Sequence, residues 1–541
     1  MCILAGHAGT RRQGEDSVEE PEILNTDEMP SRKEHTPRQA AFLKVSGSFM
    51  SKVLGFFRDI LIAKLFGATY IVDVTQLVEG VVLSTVSFIT SPIAIPLVPE
   101  LTHARMKGEQ DYRSLLRSVF GLFALVGLTM FTLVALFPRV FATLFSGGFT
   151  GIAEVYAEYT YRWMAALAIV IVVSATLKTA LSVKKDFSLI SFGDVVMNLV
   201  VIAGLMAGAR AQELPIIKTG AHVVTAVVLW TYFGIKERWF LTPQWRHWDH
   251  RVGALLKQAG PLFIGSATDM LLTLIDRTMA SYLPEGSIAS LGFAQKILLL
   301  PLGVWAVQIA ESSYPFIVSS FAARDVRKGY ELARGAVKRI LFIIVPACAG
   351  LFLLAPEVVR IIYQRGAFTA ANTAGVARVL QGYMGLLLFS SVQYIETRLF
   401  YARRNTMAPM IISVLSLGTN VGLNYLFGFV LHLGAFGLAI ASSIAAGLSM
   451  LLMYAVHRRM YGAVDYKLIL GDVVRIGLAA GAMGAVILVV RGHVGTLPLI
   501  ALSMLIYGLT ALALREEEAV GYVALGRRLL SRLARRVGRR S

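Results

Sequence analysis

Charged side chains occur in this sequence inside segments that are otherwise apolar. Lys52, Arg58 and Asp59 fall within one such segment, at about residues 40–65. A charged group at bilayer depth is costly, so in a membrane chain these residues are candidates for a functional site. Lysine and arginine give phosphate oxygens charge-assisted hydrogen bonds. The pair Lys52 and Arg58 therefore suggests phosphate binding in a water-filled cavity, and the alternative is that Arg58 and Asp59 extend to the membrane interface.

Two acidic residues begin the next apolar segment. Asp73 and Glu79 lie near its start and, with Asp59, are candidate acidic partners of the cavity cations. A carboxylate that pairs with a buried cation removes part of the cost of burying it. We therefore expect Asp73 and Glu79 to lie near Lys52 and Arg58.

A second cluster of polar and charged residues follows about half a chain later. Asp276 and Arg277 lie in one apolar segment, and Gln295 and Lys296 lie in the next. Two such clusters half a chain apart suggest two related helical bundles that face one cavity, as in transporters built from repeats. We expect Gln295 and Lys296 to contact the substrate, and Asp276 and Arg277 to be partners within the cavity.

Other charged residues inside the apolar segments are better explained by helix packing or interface positions. They are Asp194 with Asn198, Arg378, Glu396 with Arg398, and Asp472 with Arg475.

Motifs of the common enzyme classes are missing from the sequence. It has no Walker A sequence, no H-E-x-x-H and no G-x-S-x-G. The two cysteines, Cys2 and Cys348, lack the spacing of a metal or redox site. The chain is therefore expected to be neither an enzyme nor a metalloprotein, and no cofactor is expected.

The composition places these residues in a polytopic membrane protein. Of 541 residues, 56% are hydrophobic and 16% are charged, whereas a soluble chain carries roughly 25% charge. A membrane-spanning helix needs about 20 apolar residues. Fourteen segments meet this description, at about 40–65, 74–98, 118–138, 163–182, 188–208, 214–235, 254–282, 287–314, 336–355, 374–399, 407–431, 433–456, 470–490 and 495–514.

Every second connection between these segments is rich in lysine and arginine. Since lysine and arginine resist translocation, the basic connections are expected in the cytoplasm, and with fourteen spans both termini are cytoplasmic. The formal charge of +18 is thus explained by topology. The basic residues are Arg105, Lys107, Arg113, Arg117, Lys184, Lys185, Lys236, Arg238, Arg246, Arg251, Arg324, Arg327, Lys328, Arg334, Arg403, Arg404, Arg458, Arg459 and Lys467.

The two tails differ from the rest of the chain. Residues 1–38 are polar, without an apolar period, and predict a disordered cytoplasmic tail. Residues 515–541 interleave arginine with leucine, a pattern that predicts a basic amphipathic helix on the anionic cytoplasmic leaflet. Nucleic-acid binding is the alternative for this tail, but the membrane explains its charge without such a partner, so no nucleic acid is expected.

Four stretches resemble the MurJ/MviN family of lipid II flippases. They are K-V-L-G-F-F-R-D-I-L-I-A-K-L-F-G-A at 52–68, the run I-D-R-T-M-A-S-Y-L-P-E-G-S-I-A-S-L-G-F-A-Q-K-I-L-L-L-P-L-G-V at 275–304, Y-Q-R-G-A-F-T at 363–369, and R-L-F-Y-A-R-R-N-T-M-A-P at 398–409. The resemblance extends over about residues 40–460 and also implies membership of the wider multidrug/oligosaccharide-lipid/polysaccharide exporter superfamily.

The resemblance implies an all-α fold with two six-helix lobes around a central cationic cavity. The first lobe would comprise residues 39–250 (helices 1–6) and the second residues 251–456 (helices 7–12). Two further helices, within 457–514, would line a groove for a lipid tail. The family's cavity alternates between the two membrane faces and moves an undecaprenyl-pyrophosphate-linked peptidoglycan precursor outward.

By position, Arg58 and Asp59 match the family's G-F-x-R-D motif, and Asp73 matches an acidic residue in its second helix. The sequence departs from the family at three points. Lys52 stands where the family usually has arginine, no basic residue lies at 83–90 in the second span, and Gln295 with Lys296 replaces an Asp/Asn-Arg pair. These changes reduce the cavity's cationic character.

The function expected on these grounds is translocation of lipid II across the bacterial inner membrane by alternating access. Because of the departures, a flippase for another polyprenyl-linked oligosaccharide, such as an exopolysaccharide or O-antigen unit, is the main alternative. A cation antiporter and a non-transporting scaffold are the others. Membrane lipids and cell-wall synthesis proteins are candidate partners, and the cavity charges permit coupling to an ion or to the membrane potential.

Overall fold

The computed structural model describes residues 37–523, apart from positions 185, 187, 246–248 and 463. Nearly all of the predicted amino-terminal tail (1–38), and residues 524–541 of the predicted basic tail, lie outside the described residues. The helices of the first half of the chain are α1 (Pro37–Phe66), α2 (Tyr70–Lys107), α3 (Glu109–Leu136), α4 (Pro138–Ser146), α5 (Ile152–Met164), α6 (Leu167–Val183), α7 (Ser188–Met206) and α8 (Glu213–Glu237).

The second half begins with α9 (Arg251–Ser281). It is followed by α10 (Ser287–Pro301), a π turn (Leu302–Ala306), α11 (Val307–Ala322), α12 (Val326–Leu353), α13 (Ala355–Tyr363), α14 (Ala370–Gly382), α15 (Met384–Ala402), α16 (Met407–Tyr425), a second π turn (Leu426–Val430) and α17 (Gly434–Tyr461). The chain then forms a 3₁₀ turn (Tyr466–Ile469), α18 (Leu470–Val490) and α19 (Thr496–Ala513).

Each of the fourteen predicted segments falls on one of these helices or on a consecutive pair. Within the described part of the chain, 11 helices are long and apolar enough to cross a membrane. The all-α, polytopic fold class is therefore confirmed, while the count of fourteen spans stays a prediction.

Basic residues gather at one end of the helical bundle, which we call the basic end. At that end, Lys184 after α6 forms an ion pair with Glu237 of α8, and Arg251 of α9 binds Asp111 of α3 at 2.7 Å. Arg251 also binds Asp249, and these hydrogen bonds lower the pKa of Asp249 below its usual value. The start of the second half is thus anchored to α3. We call the other end of the bundle the opposite end.

The apolar side chains of the described residues form two large cores and two smaller ones, the smallest around Phe400, Ile412 and Met453. One large core lies mainly among α2, α3, α5, α6, α8 and α9. The other combines α10–α15 with parts of α1, α7 and α8 from the first half. A smaller core joins α18 and α19 to the end of α12. The two halves therefore share apolar packing, and α18 and α19 lie against the second half.

Candidate functional site

A cavity of about 450 Å³ lies between the two halves. Its walls come from α1, α2, α7 and α8 on one side and from α9 and α10 on the other. Arg58 lies eight residues before the end of α1, and Lys296 nine residues after the start of α10, which places both about 12–14 Å inside the bundle at 1.5 Å per residue. Arg58 and Asp59 thus line the cavity between the halves, as the first of the two interpretations expects.

Asp59 links the cations of the two halves. Its Oδ1 accepts hydrogen bonds from Nε and Nη2 of Arg58, at 3.0 and 2.8 Å, and its Oδ2 lies 3.4 Å from Nζ of Lys296. The Nη1 group of Arg58 donates to Oδ1 of Asn198 on α7 at 3.0 Å. The sequence analysis explained Asn198 by helix packing. In the structure, Asn198 also orients the guanidinium group of Arg58.

Glu79 forms a second ionic cluster with two residues of α8, Lys218 and His222. The sequence analysis identified Glu79 but neither of these partners. Nζ of Lys218 on α8 lies 2.7 Å from one oxygen of Glu79. Nε2 of His222, one turn further along α8, lies 3.9 Å from the other oxygen. Lys218 is 7% exposed, and all three residues line the cavity. The i, i+4 spacing of Lys218 and His222 was the available signal, because it places both on one face of a helix.

Arg277 reaches from α9 into the wall formed by α2. Its Nη1 donates to the backbone oxygen of Gln76 at 2.6 Å. A Cβ at Gly80 would lie 1.5 Å from that nitrogen, so any side chain there would occupy the same space as the guanidinium group. In the described part of the chain, no carboxylate lies within ion-pair distance of Arg277.

The charges around the cavity are predominantly positive. Among the described lining residues, four permanent cations face two carboxylates, and His222 is a further basic group. Such a cavity attracts anions and repels cations. The cations are Arg58, Lys218, Arg277 and Lys296, and the carboxylates are Asp59 and Glu79.

Gln295 and Lys52 were both predicted to bind substrate, but only Gln295 lines the cavity. Gln295 lines the cavity beside Lys296. Lys52 is exposed and lies about 21 Å from the end of α1 by helical rise. Its Nζ lies 3.8 Å from the point where a Cβ of Gly303 would be. Lys52 is thus nearer the basic end than Arg58 and outside the lining of the cavity.

Asp73 contacts no cavity cation, contrary to the sequence-based prediction. It is 2% exposed, and its two oxygens accept hydrogen bonds of 2.6 Å from the backbone N–H groups of Gly286 and Ala289. These groups belong to the free amino-terminal end of α10, where a carboxylate is favoured by unpaired N–H groups and the helix dipole. Asp73 therefore joins α2 of the first half to α10 of the second half.

Asp276 points away from the basic cavity, although Arg277 beside it faces that cavity. It lines a separate cavity of about 260 Å³ with serine, asparagine and glutamine side chains of α10 and α15–α17. Its Oδ1 accepts a hydrogen bond of 2.6 Å from Asn424. Among the described residues, no group of three or more His, Cys, Asp and Glu side chains could hold a metal ion.

A profile of the family described as "Lipid II flippase MurJ" matches residues 62–508. The chain belongs to this family. The MurJ/MviN resemblance of the sequence is thereby confirmed.

Curated relatives of the MurJ family match most of the chain. A probable lipid II flippase MurJ of Thermotoga maritima is 25% identical over 482 residues, which are 87% of this chain and 95% of the relative. A protein of the same description from Haemophilus influenzae is 26% identical over 480 residues, or 81% of this chain and 90% of the relative.

Solved structures share the fold. A lipid II flippase MurJ in an inward closed conformation superposes with a TM-score of 0.72 at 23% identity, covering 90% of this chain and 99% of that structure. An inward-facing multidrug transporter of the MATE family gives a TM-score of 0.65 at 14% identity, covering 79% and 99%. The MurJ architecture is therefore the fold of this chain.

Contacts between the two halves close the opposite end of the cavity. Besides the bonds of Asp73, the backbone N–H of Tyr70 donates to Glu285 at 2.9 Å. The backbone N–H of Ala367 donates to the backbone oxygen of Lys64 at 2.8 Å. These contacts join the α1–α2 connection to the start of α10 and to the α13–α14 connection.

An apolar groove of about 520 Å³ lies where α18 and α19 meet α12. It is lined by aromatic and aliphatic side chains, with Pro301 and Trp305 near the first π turn at one side. The groove lies where the MurJ resemblance expects a lipid-tail groove, lined by the last two helices.

Proposed function

We propose that the protein is a flippase that moves lipid II, a polyprenyl-pyrophosphate-linked peptidoglycan precursor, across the bacterial inner membrane. One observation carries this proposal: the cavity of a MurJ-family chain is lined by four permanent cations at membrane depth. Lysine and arginine at such a depth are costly unless they face water or an anion. A pyrophosphate group is an anion of the required kind.

The cavity lowers the main barrier to this movement. Transfer of a pyrophosphate and its sugars through hydrocarbon would remove strongly hydrated charge from water, at a cost far above ordinary binding energies. A wet cavity with cations replaces the lost hydration by charge-assisted hydrogen bonds. Arg58 and Lys296 supply these bonds from α1 and α10, and Asp59 holds the two cations in position until the headgroup arrives.

Alternating access assigns roles to the two ends of the bundle. The basic end faces the cytoplasm, so both termini are cytoplasmic, and the headgroup enters there past Lys52. The contacts of Asp73, Tyr70 and Lys64 keep the opposite end closed at this stage. The two halves, residues 39–250 and 251–456, then move relative to each other and open that end. The polyprenyl tail stays in the apolar groove beside α18 and α19.

The alternative substrates are less well supported. A cationic drug would be repelled by the charge of the cavity. Another polyprenyl-linked oligosaccharide carries the same pyrophosphate, but the family profile and the relatives described above are named for lipid II and do not favour that alternative.

Coupling to an ion or to the membrane potential would act on the cavity charges, at about 2.3 kcal/mol per charge per 100 mV. Cell-wall synthesis proteins are proposed partners that would use the translocated precursor.

The test is rescue of a bacterium depleted of its own lipid II flippase. The gene of this protein, expressed at a verified level in the membrane, is expected to restore growth and cell shape. Failure to rescue despite normal membrane expression would contradict the proposal. Rescue of a strain that lacks an O-antigen or exopolysaccharide flippase, without rescue of the lipid II strain, would identify the alternative.

A further inference from the structure

The chain turns back on itself after α19. The turn lies at Arg515, whose backbone is left-handed (φ 53°). Glu516 and Ala519, which follow it, are buried, and the carboxylate of Glu516 accepts a hydrogen bond of 2.8 Å from the backbone N–H of Ala519. Residues 516–523 are therefore packed against the protein, and we call them the strap. The strap lies beyond residues 62–508, which the family profile matches, so the resemblance assigns it no role.

The strap carries Tyr522 onto the apolar groove. The Tyr522 ring lines the groove and stacks on Phe342 of α12, with 5.9 Å between the ring centroids and 25° between the planes. Tyr507 of α19 contacts the same phenylalanine ring at 5.4 Å, and its hydroxyl donates to the backbone oxygen of Phe342 at 2.6 Å. Since α12 begins and α19 ends at the basic end, Phe342 and Tyr507 are the groove residues of these helices nearest that end. The three rings therefore bound the groove on its basic side.

An ion pair fastens the strap to α12. Lys338, one turn before Phe342, pairs with Glu517 of the strap and lies 3.3 Å from Asp472 of α18. The hydrogen bond from Lys338 lowers the pKa of Glu517 below its usual value. Lys338 is thus the point at which α12, α18 and the strap meet.

We propose that the strap holds the polyprenyl tail of the substrate in the groove, and that Tyr522 contacts the tail. The inference rests on the proposed function, which places that tail beside α18 and α19. Lipid hydrocarbon is as apolar as the groove, so the hydrophobic effect gives the tail little reason to prefer the groove to the bilayer. The groove retains the tail through close packing contacts instead, and an aromatic ring at its edge supplies such contacts.

The headgroup and the tail are bound by different parts of the molecule. Arg58 and Lys296 lie in the cavity, and Pro301 and Trp305 line the groove on the side of α10. A long tail extends past these residues to Tyr522, whereas a short-tailed lipid with the same headgroup does not reach the strap. The strap thus gives the protein a preference for long polyprenyl tails.

The experiment measures the binding of two diphosphates to the purified full-length protein in detergent. Undecaprenyl diphosphate has the long tail, and dimethylallyl diphosphate has the same headgroup on a single isoprene unit. The variant is Tyr522→Ala. Its matched control is Tyr425→Ala, which removes an exposed tyrosine that also stacks at 25° on a phenylalanine, Phe429, and is not part of the groove. Tyr522→Phe keeps the ring and loses only the hydroxyl.

A second variant loosens the strap without changing Tyr522. Glu517→Lys places a positive charge opposite Lys338, so the ion pair that fastens the strap becomes a repulsion. Its control is Glu331→Lys, which reverses the charge of a carboxylate paired with Arg327 at 3.0 Å near the start of α12 and not part of the groove.

The strap predicts an effect that depends on the length of the tail. Tyr522→Ala and Glu517→Lys should bind undecaprenyl diphosphate about three- to tenfold more weakly than the wild type, the range of a lost aromatic contact. Both should bind dimethylallyl diphosphate as the wild type does, which also shows that they are folded. Tyr522→Phe and the two controls should match the wild type with both ligands.

Two outcomes would overturn the inference. One is wild-type binding of undecaprenyl diphosphate by both Tyr522→Ala and Glu517→Lys. The other is an equal loss of both ligands, because the effect would then act on the cavity or on folding rather than on the tail. A failed rescue of the flippase-depleted strain together with an intact tail-length effect would contradict the lipid II assignment and leave the strap in place.

Discussion

Asp59 holds cations from both halves of the molecule in one cluster. It accepts two hydrogen bonds from Arg58 and lies 3.4 Å from Lys296. Arg58 needs three of its donors in this arrangement, because it also binds Asn198. Only a planar guanidinium group can contact both partners from a fixed position.

The first prediction concerns Arg58→Lys. The variant keeps the positive charge but loses the forked geometry, so it should bind either Asp59 or Asn198 but not both. We expect slower growth than with wild type, yet partial rescue of flippase-depleted cells, measured as doubling time at matched membrane expression. Full rescue by Arg58→Lys would show that charge alone, without this geometry, is sufficient.

The second prediction concerns Asp73. Asp73→Ala leaves two buried N–H groups of α10 without acceptors, and each such loss costs about 1–3 kcal/mol. The closed opposite end should therefore open more often, and Asp73→Asn, with one remaining oxygen, should have an intermediate effect. The readout is the labelling rate of a Leu83→Cys reporter in the cavity by a membrane-impermeant thiol reagent applied outside, in a Cys348→Ala background. Unchanged labelling in Asp73→Ala would contradict this closing role.

The sequence allowed part of the site to be predicted. Arg58, Asp59, Arg277 and Lys296 are charged residues within apolar segments, and that contrast alone identified them. Lys218 lies near the start of its segment, where an interface position is ordinary, and its partner Glu79 lies 139 positions away.

The partner of Asp73 was predicted wrongly for a different reason. A backbone donor from another helix leaves no trace in the sequence pattern, because every non-proline residue carries the same N–H group.

At the scale of elements, the positions of the long helices could be predicted from the sequence. The points at which a helix becomes irregular could not. The second segment contains Pro92, Pro96 and Pro99, and α2 continues through all three as one helix of 38 residues. Pro301, by contrast, directly precedes the π turn of Leu302–Ala306, where an irregular turn accommodates the missing N–H. Which proline changes the helix depends on tertiary packing, and that is not encoded in the local sequence.

The third prediction concerns the α2–α9 contact. Gly80→Leu would place side-chain atoms where the guanidinium of Arg277 lies, so α2 and α9 could not approach as closely. We expect normal insertion into the membrane, faster outside labelling of the Leu83→Cys reporter, and loss of rescue. Combining Gly80→Leu with Arg277→Ala should restore the slow labelling rate, and failure to do so would contradict the steric explanation.

At the scale of the whole molecule, the alternation of basic connections predicted the order and direction of the helices. The contacts that close the opposite end join residues more than 200 positions apart, such as Tyr70 and Glu285. No periodicity or charge pattern reports such pairs. The sequence therefore predicted a cavity between two halves, but the closed end could be located only in three dimensions.

The fourth prediction tests movement of the halves. The backbones of Lys64 and Ala367 are joined by a hydrogen bond of 2.8 Å, so cysteines at these positions lie within reach of each other. In a background without the native cysteines (Cys2→Ala, Cys348→Ala), a Lys64→Cys, Ala367→Cys variant should rescue growth under reducing conditions and lose function when oxidised. Each single variant is the control. Full activity of the oxidised double variant would exclude opening at this end.

The account depends on cations inside the cavity carrying the headgroup of the lipid. The most direct measurement is the rate of lipid II translocation in vesicles by the wild-type protein and by an Arg58→Ala, Lys296→Ala variant, with a Lys178→Met, Asp194→Asn variant as control. The control removes an ion pair of 3.1 Å between α6 and α7 that is not part of the cavity wall. The predicted result is translocation by the wild type and the control, and none above protein-free vesicles by the cavity variant. Equal rates for the cavity variant and the wild type would contradict the account.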